Sequence, residues 1–137
     1  MKKYILIAGV NGAGKSTLFQ TLESLKDMPR INIDEIAKSL GYRIELHYVG
    51  VASADIAKTR IAYRVSQGGH GIPDADVERR YMESFNRLRE IISLCDMVVL
   101  YDNTKNFNRF AIYQNGKLCN LSDTRPDWYN NLNLSTE

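Results

Sequence analysis

The residues best suited to chemistry lie near the start of the chain, where the pattern G-x-x-x-x-G-K-[ST] occurs once. Its glycines let the backbone turn N–H groups inward, at the N-terminus of the following helix, to hold phosphate oxygens. Its lysine reaches the β- and γ-phosphates of a nucleoside triphosphate, and its serine hydroxyl is a ligand of Mg²⁺. The residues predicted to bind MgATP are Gly9, Asn11, Gly12, Ala13, Gly14, Lys15, Ser16 and Thr17, with Ser16 on the metal.

The segments on either side of this motif loop (residues 9–17) fit the motif. Tyr4–Ala8 is a continuous apolar run, as expected for a buried parallel strand. Leu18, Leu22 and Leu25 recur at helical spacing, which predicts a helix over Lys15–Leu25. A strand, a glycine-rich loop and a helix are the order that the motif requires. No Asn-Lys-x-Asp element typical of guanine recognition is present, so ATP is favoured over GTP.

Downstream patterns predict an α/β fold with a mainly parallel sheet of the P-loop NTPase type, flanked by helices. Continuous apolar runs favour buried parallel strands, and apolar residues at helical spacing favour amphipathic helices. The expected elements are strands Arg30–Ile33, Arg43–Val49 and Met97–Tyr101, a helix Ala54–Gln67 capped by Ser53, and a helix Asp74–Leu94 with the apolar stripe Val77, Tyr81, Phe85, Leu88 and Ile92.

Two sequence features predict an edge strand and a hairpin in this sheet. Apolar and polar residues alternate in Arg43–Val49, which favours an exposed edge strand and, through that edge, a homodimer. Asn115-Gly116 stands between two apolar runs and predicts a C-terminal β-hairpin. Residues 1–121 are therefore expected to form the P-loop kinase-like domain, and residues 122–137 an irregular tail.

The composition limits the partners and the location. A chain of 137 residues with a net charge of +2 and no basic stripe argues against nucleic acid as a partner. Its apolar runs are too short to span a membrane. Two cysteines without zinc-type spacing, and no secretory segment before the first strand, predict reduced thiols in a cytoplasmic protein.

Three residues are candidates for phosphoryl transfer to a small-molecule substrate. Asp34 follows the strand expected beside the loop strand, where its carboxylate would accept a proton from a hydroxyl or hold a water of Mg²⁺; the alternative is a helix N-cap. Arg60 and Arg64 share one helix face, and the transferred phosphate needs such positive charge. Arg64 is preferred because it adjoins a glycine-rich loop, and a solvated basic face is the alternative for both.

The loop after Arg64 contains Gly68, Gly69, His70 and Gly71. Three glycines give it conformational freedom, which predicts a lid that shields the reaction from water. A plain exposed loop is the competing interpretation.

Other polar residues are assigned structural roles. His47 alternates with charged residues on its strand and is expected to be solvated. Asp102 follows an apolar strand, as Mg²⁺-binding carboxylates do, but capping of a turn is the favoured role. Arg79 and Arg80 are expected to be exposed to solvent.

Taken in order, these segments resemble zeta-toxin-like proteins, a family of small P-loop kinases and predicted ATPases. The resemblance implies that ATP phosphorylates a hydroxyl of a UDP-amino sugar, with Lys15 on phosphate, Asp34 as the base and Arg64 on the γ-phosphate. It also makes an antitoxin-like protein a candidate partner. The resemblance covers residues 3–104 and is carried by Ile5–Thr17, Ile33–Ala37, Gly41–Arg43, Arg64–Val65, Gly68–Pro73, Arg79–Tyr81 and Leu100–Asn103.

Members of that family carry a further helix, strand and helix before the segment that corresponds to Gly41–Tyr42. Here only Glu35–Tyr42 intervenes, so the chain is shortened between Leu40 and Gly41, or the sequence lacks residues there. The missing elements supply substrate contacts, so nucleotide binding is expected to survive better than turnover. The predicted function is an ATP-dependent small-molecule kinase; the alternatives are a catalytically weak nucleotide-binding regulatory protein and an ATPase of nucleic-acid metabolism.

Overall fold

A computed structural model describes residues 2–10, 12–13 and 40–134. The predicted helix Lys15–Leu25 and strand Arg30–Ile33 lie outside the described residues. A short 3₁₀ turn over Ile92–Leu94 directly follows the helix Asp74–Ile91. The elements in chain order are β1 (Lys3–Ala8), β2 (Arg43–Gly50), α1 (Ala54–Ser66), α2 (Asp74–Ile91), β3 (Met97–Asp102), β4 (Asn108–Gln114), β5 (Lys117–Leu121) and α3 (Asp127–Asn130).

The five described strands form one sheet in the order β1-β2-β3-β4-β5. Strands β1, β2 and β3 are parallel, whereas β4 and β5 are antiparallel to their neighbours. The α/β prediction is therefore confirmed, and the sheet of the described strands is mixed, with two parallel and two antiparallel strand pairs. The assignment to the P-loop NTPase type stays a prediction.

Strand β2 lies inside the sheet, so the prediction of an exposed edge at Arg43–Val49 was wrong. Its Leu46 is paired with Leu6 of β1 and with Val98 of β3. All its residues from Ile44 onward are buried, including the polar ones. Apolar and polar residues alternate in β2 because its polar side chains have partners inside the protein. The predicted homodimer through this strand has no free edge to use.

Local sequence signals place the helices and the hairpin. The Ser53 hydroxyl accepts the N–H of Ile56 and caps α1, as predicted. The predicted stripe of α2 faces the sheet, with only Tyr81 half-buried. Asn115 and Gly116 both have positive φ angles, 52° and 79°, which is the geometry of the expected two-residue turn. The predicted hairpin is confirmed.

The segment after Ser122 carries apolar anchors that the sequence analysis missed. Trp128, Tyr129 and Leu132 are buried against the sheet. The indole of Trp128 stacks on Phe85 of α2 and meets Phe110 of β4 edge-on, with ring centroids 5.5 and 5.4 Å apart. A second apolar cluster, built from α1 and residues that include Val49 and Val99, completes the core of the described residues.

Candidate functional site

The motif loop begins at the carboxyl end of β1, beside the carboxyl ends of β2 and β3. Ala8 pairs with Tyr48 at the end of the β1–β2 ladder, and Gly50 pairs with Asp102 at the end of the β2–β3 ladder. Ligands of open α/β sheets bind at this edge. Of the predicted site, Gly9, Gly12 and Ala13 are described, whereas Asn11, Gly14, Lys15, Ser16, Thr17 and Asp34 lie outside the described residues.

Two glycines of the motif loop are required by close packing. Gly9 has φ +144°, and a Cβ there would lie 2.4 Å from the carbonyl oxygen of Val49. Gly12 has φ +82°, and a Cβ there would lie 2.9 Å from the carbonyl oxygen of Ala57. The loop backbone therefore rests directly on the end of β2 and on α1, which only glycine allows at these positions.

Arg60 of α1 ties the motif loop to the segment after β3. Its Nη1 donates to the carbonyl of Gly12 at 3.2 Å, and its Nη2 donates to the carbonyls of Asn103 and Thr104, the latter at 3.1 Å. The sequence placed Arg60 and Arg64 on one face as candidate cations for phosphate. In the structure the Arg60 guanidinium is directed at backbone carbonyls, a role that helical spacing alone does not reveal.

Asn103 makes the second link between the motif loop and the strand ends. Its Nδ2 donates to the carbonyl of Ala13 at 3.1 Å, and its backbone N–H donates to the carbonyl of Gly50 at 2.9 Å. Asn103 thereby connects the loop after β1 with the end of β2 from a position directly after β3.

Asp102 has the structural role favoured from the sequence. Its Oδ1 accepts the Thr104 hydroxyl at 2.8 Å and the indole N–H of Trp128 at 3.0 Å. The same Thr104 hydroxyl accepts the N–H of Ala52 after β2 at 3.0 Å. Together with Arg60 and Asn103, these residues form a strand-end network that joins three strand ends, the C-terminal segment and the motif loop.

Gly9 also lines a cleft of about 510 Å³ between the β1–β2 face and α2. Arg79 is exposed, as expected, and forms ion pairs with Asp76 and Glu83 at 3.4 and 3.5 Å. Arg87 has no ion-pair partner among the described side chains. The described lining residues are Ala8, Gly9, Val10, Leu46, Tyr48, Arg79, Arg80, Glu83, Ser84, Arg87, Leu88 and Ile91.

Tyr48 supplies a neutral hydroxyl to the lining of this cleft. Its hydroxyl shares a hydrogen bond of 2.7 Å with the Ser84 hydroxyl. Burial raises the pKa of Tyr48 to about 12, and the bond with Ser84 opposes that rise only in part. The phenol is therefore protonated at neutral pH and adds no negative charge to the cleft.

His47 is buried, so the prediction that it is solvated was wrong. Its side chain is buried, with Nδ1 and the Tyr101 hydroxyl 2.9 Å apart and the two rings stacked with centroids 5.8 Å apart. Burial lowers the pKa of His47, and the nearby Glu45 raises it by a smaller amount. The imidazole is thus neutral at physiological pH. Within residues 2–10, 12–13 and 40–134, no group of three or more His, Cys, Asp or Glu side chains is arranged to hold a metal ion.

Arg64 and the loop that follows it are exposed. The carbonyl of Arg64 accepts the N–H groups of Gln67 and Gly69 at 3.1 and 2.8 Å, which closes the end of α1. Its side chain has no hydrogen bond to the described part of the motif loop. Gly68, Gly69, His70 and Gly71 are all exposed, as both the lid and the plain-loop interpretations expect.

No family model matches this chain, and no curated protein sequence matches it. The resemblance to zeta-toxin-like proteins therefore depends on the motifs quoted above. None of the described helices is long and apolar enough to cross a membrane.

Proposed function

We propose that this chain binds MgATP at the motif loop and transfers the γ-phosphate to a hydroxyl of a small molecule. The observation that carries this proposal is the match of Gly9, Gly14, Lys15 and Ser16 to the phosphate-binding motif, directly after a strand parallel to β2. Gly9 supports it, because this fixed glycine of the motif stands where a Cβ would lie 2.4 Å from the carbonyl oxygen of Val49.

The proposed roles follow the chemistry of phosphoryl transfer. Lys15 would hold the β- and γ-phosphates, and Ser16 would hold Mg²⁺, which would neutralise charge that develops on the phosphates. Asp34 accepts the proton of the acceptor hydroxyl. Arg64 approaches the γ-phosphate when the loop containing Gly68–Gly71 closes, and that closure excludes water.

The cleft beside Gly9 is the proposed acceptor site. Its volume of about 510 Å³ lies in the ordinary range for small-molecule sites. Arg87 in its lining has no ion-pair partner among the described side chains, which suits an acceptor with an anionic group. A nucleotide sugar, which the family resemblance suggests, carries such a group.

A second candidate function is nucleotide binding with weak catalysis, in a regulatory protein. The position of Asp102 favours it, because the Oδ1 of this carboxylate already accepts hydrogen bonds from Thr104 and Trp128. The short Glu35–Tyr42 connection favours it too, since it lacks the elements that carry substrate contacts in the family. The near-neutral charge gives less support to an ATPase of nucleic-acid metabolism.

Transfer of label from γ-labelled ATP to a panel of nucleotide sugars and nucleosides tests the kinase proposal. We expect one acceptor class to be labelled. Asp34→Asn should lower turnover far more than ATP affinity, because a base acts on the acceptor hydroxyl. The control is Asp123→Asn, at an exposed position after the hairpin. ATP binding without transfer would favour the regulatory candidate, and full turnover in Asp34→Asn would assign Asp34 to an N-cap.

A further inference from the structure

We propose that Arg60 and Asn103 are positioning residues, which set the backbone of the motif loop for nucleotide binding. The inference rests on the proposed function, since it assigns two residues that prepare the same site. Neither residue belongs to the phosphate-binding motif. Both reach that motif from other parts of the chain, 48 and 90 residues away.

The hydrogen bonds of both residues end on consecutive carbonyls of the motif loop. Arg60 donates to Gly12 at 3.2 Å, and Asn103 donates to Ala13 at 3.1 Å. A planar trans peptide directs its N–H opposite to its C=O, so a fixed carbonyl also fixes the N–H that follows. Phosphate binding by a backbone concavity depends on the direction of such N–H groups. Holding the Gly12 carbonyl thus fixes the direction of the Ala13 N–H, which is bonded to the carbonyl of Val10, and so fixes the turn from which the phosphate-binding part of the motif continues.

The two residues are themselves held firmly. The guanidinium of Arg60 also bonds to the carbonyls of Asn103 and Thr104, and a charged donor makes these bonds stronger than neutral ones. The backbone N–H of Asn103 is bonded to Gly50 of β2. Because Gly50 ends β2 and Asn103 and Thr104 directly follow β3, these bonds hold the motif loop in place relative to the sheet.

The described contacts give Arg60 a different role from that of a phosphate ligand. Three backbone carbonyls converge on its guanidinium, and the side chain is half-buried. Moving it onto a phosphate would leave these carbonyls without that donor. Arg64, one turn further along α1, has an exposed side chain without such acceptors and keeps the candidate role on the γ-phosphate.

Hydrogen exchange of the full chain without nucleotide tests the positioning directly. The Ala13 N–H is bonded to the carbonyl of Val10 at 3.1 Å, and Ala13 is fully buried. We expect this amide to exchange faster in Arg60→Ala and in Asn103→Ala than in the wild type. In Arg60→Lys, which keeps the charge but loses the planar guanidinium with its several donors, the exchange rate should lie between those of Arg60→Ala and the wild type. It also covers the case in which Arg60→Ala fails to fold.

Arg89→Ala is the matched control. Arg89 also projects from a helix and donates to a backbone carbonyl, that of Leu132 at 3.1 Å, in the C-terminal segment. Its loss should lower the melting temperature and leave exchange at Ala13 unchanged. Unchanged exchange at Ala13 in folded Arg60→Ala and Asn103→Ala would overturn the proposal.

Calorimetry with MgATP on the same variants completes the test. Arg60→Ala and Asn103→Ala should weaken binding by about tenfold, as expected for loss of a hydrogen bond in a prepared site, and Arg89→Ala should not. Wild-type binding that persists unchanged in both variants would contradict the positioning roles alone. A wild type that does not bind MgATP would contradict the proposed function, and the exchange result would still show whether Arg60 and Asn103 fix the loop.

Discussion

The three parallel strands and the β4–β5 hairpin belong to one sheet but are held together differently. The hairpin is closed by a turn of two residues, Asn115 and Gly116, between strands that are neighbours in the chain. The parallel strand ends are joined by side chains from distant segments, such as Arg60 on Gly12 and Asn103 on Ala13. Polar groups therefore gather at the carboxyl ends of the parallel strands, where separate parts of the chain meet.

The C-terminal segment connects the two halves and gives the largest expected effect. Trp128 packs on Phe110 of the hairpin half and on Tyr48 of the parallel half, and donates its indole N–H to Asp102. Trp128→Ala should lower the free energy of unfolding by about 3–5 kcal/mol, because it leaves a large cavity. Urea denaturation measures this loss.

Trp128→Phe is the matched variant for the hydrogen bond to Asp102. It keeps most of the aromatic packing and should recover most of the stability lost in Trp128→Ala. A loss below about 1 kcal/mol in Trp128→Ala would contradict the assignment of the C-terminal segment to the core.

The same glycine-to-alanine substitution at Gly9 and at Gly116 compares the packing of the motif loop with that of the hairpin turn. Gly9 and Gly116 both have positive φ, but a Cβ on Gly9 would lie 2.4 Å from a backbone oxygen, whereas one on Gly116 has its nearest neighbour at 3.6 Å. Gly116→Ala should cost about 1–2 kcal/mol for the backbone conformation alone. Gly9→Ala should cost about 3 kcal/mol, because the end of β2 must also move.

Urea denaturation of the two alanine variants decides this comparison. Equal losses of stability would show that the motif loop is no more tightly packed than the hairpin turn.

His47 gives the parallel half a dependence on pH. Burial lowers the pKa of His47 in the folded protein from its ordinary value of 6.5, so the unfolded chain takes up a proton that the folded protein does not. Stability should therefore be complete above about pH 7.5 and fall as the pH drops through 6.5, by at most about 1.4 kcal/mol per pH unit.

Urea denaturation at several pH values measures this slope. His47→Gln should flatten it, whereas His70→Gln, at an exposed position, should leave it as in the wild type. An unchanged slope in His47→Gln would contradict the buried, neutral imidazole.

The sequence predicted best what neighbouring residues determine. The Ser53 cap, the apolar stripe of α2 and the turn at Asn115-Gly116 all depend on residues within a few positions of one another. The order of a strand followed by a glycine-rich loop was also predictable, because Tyr4–Ala8 of β1 is one apolar run.

The errors and omissions concern partners far apart in the chain. His47 was predicted to be solvated because its neighbours are charged, but its partner Tyr101 is 54 residues away. The face that Arg60 shares with Arg64 was predictable, whereas the carbonyls it meets after β3 were not. Trp128 stands in a polar stretch, and no local pattern shows that its ring lies where a Cβ on Gly50 would clash at 2.4 Å.

The central claim is that the motif loop at the end of β1 binds a nucleoside triphosphate, and calorimetry with MgATP tests it most directly. The comparison is between the wild type, Lys15→Ala and the control Lys105→Ala, which changes an exposed lysine after β3. The account predicts binding by the wild type and by Lys105→Ala, and affinity weakened by about tenfold or more in Lys15→Ala, because the loop cation is lost. Unchanged affinity in a folded Lys15→Ala protein, or no binding by the wild type, would contradict it.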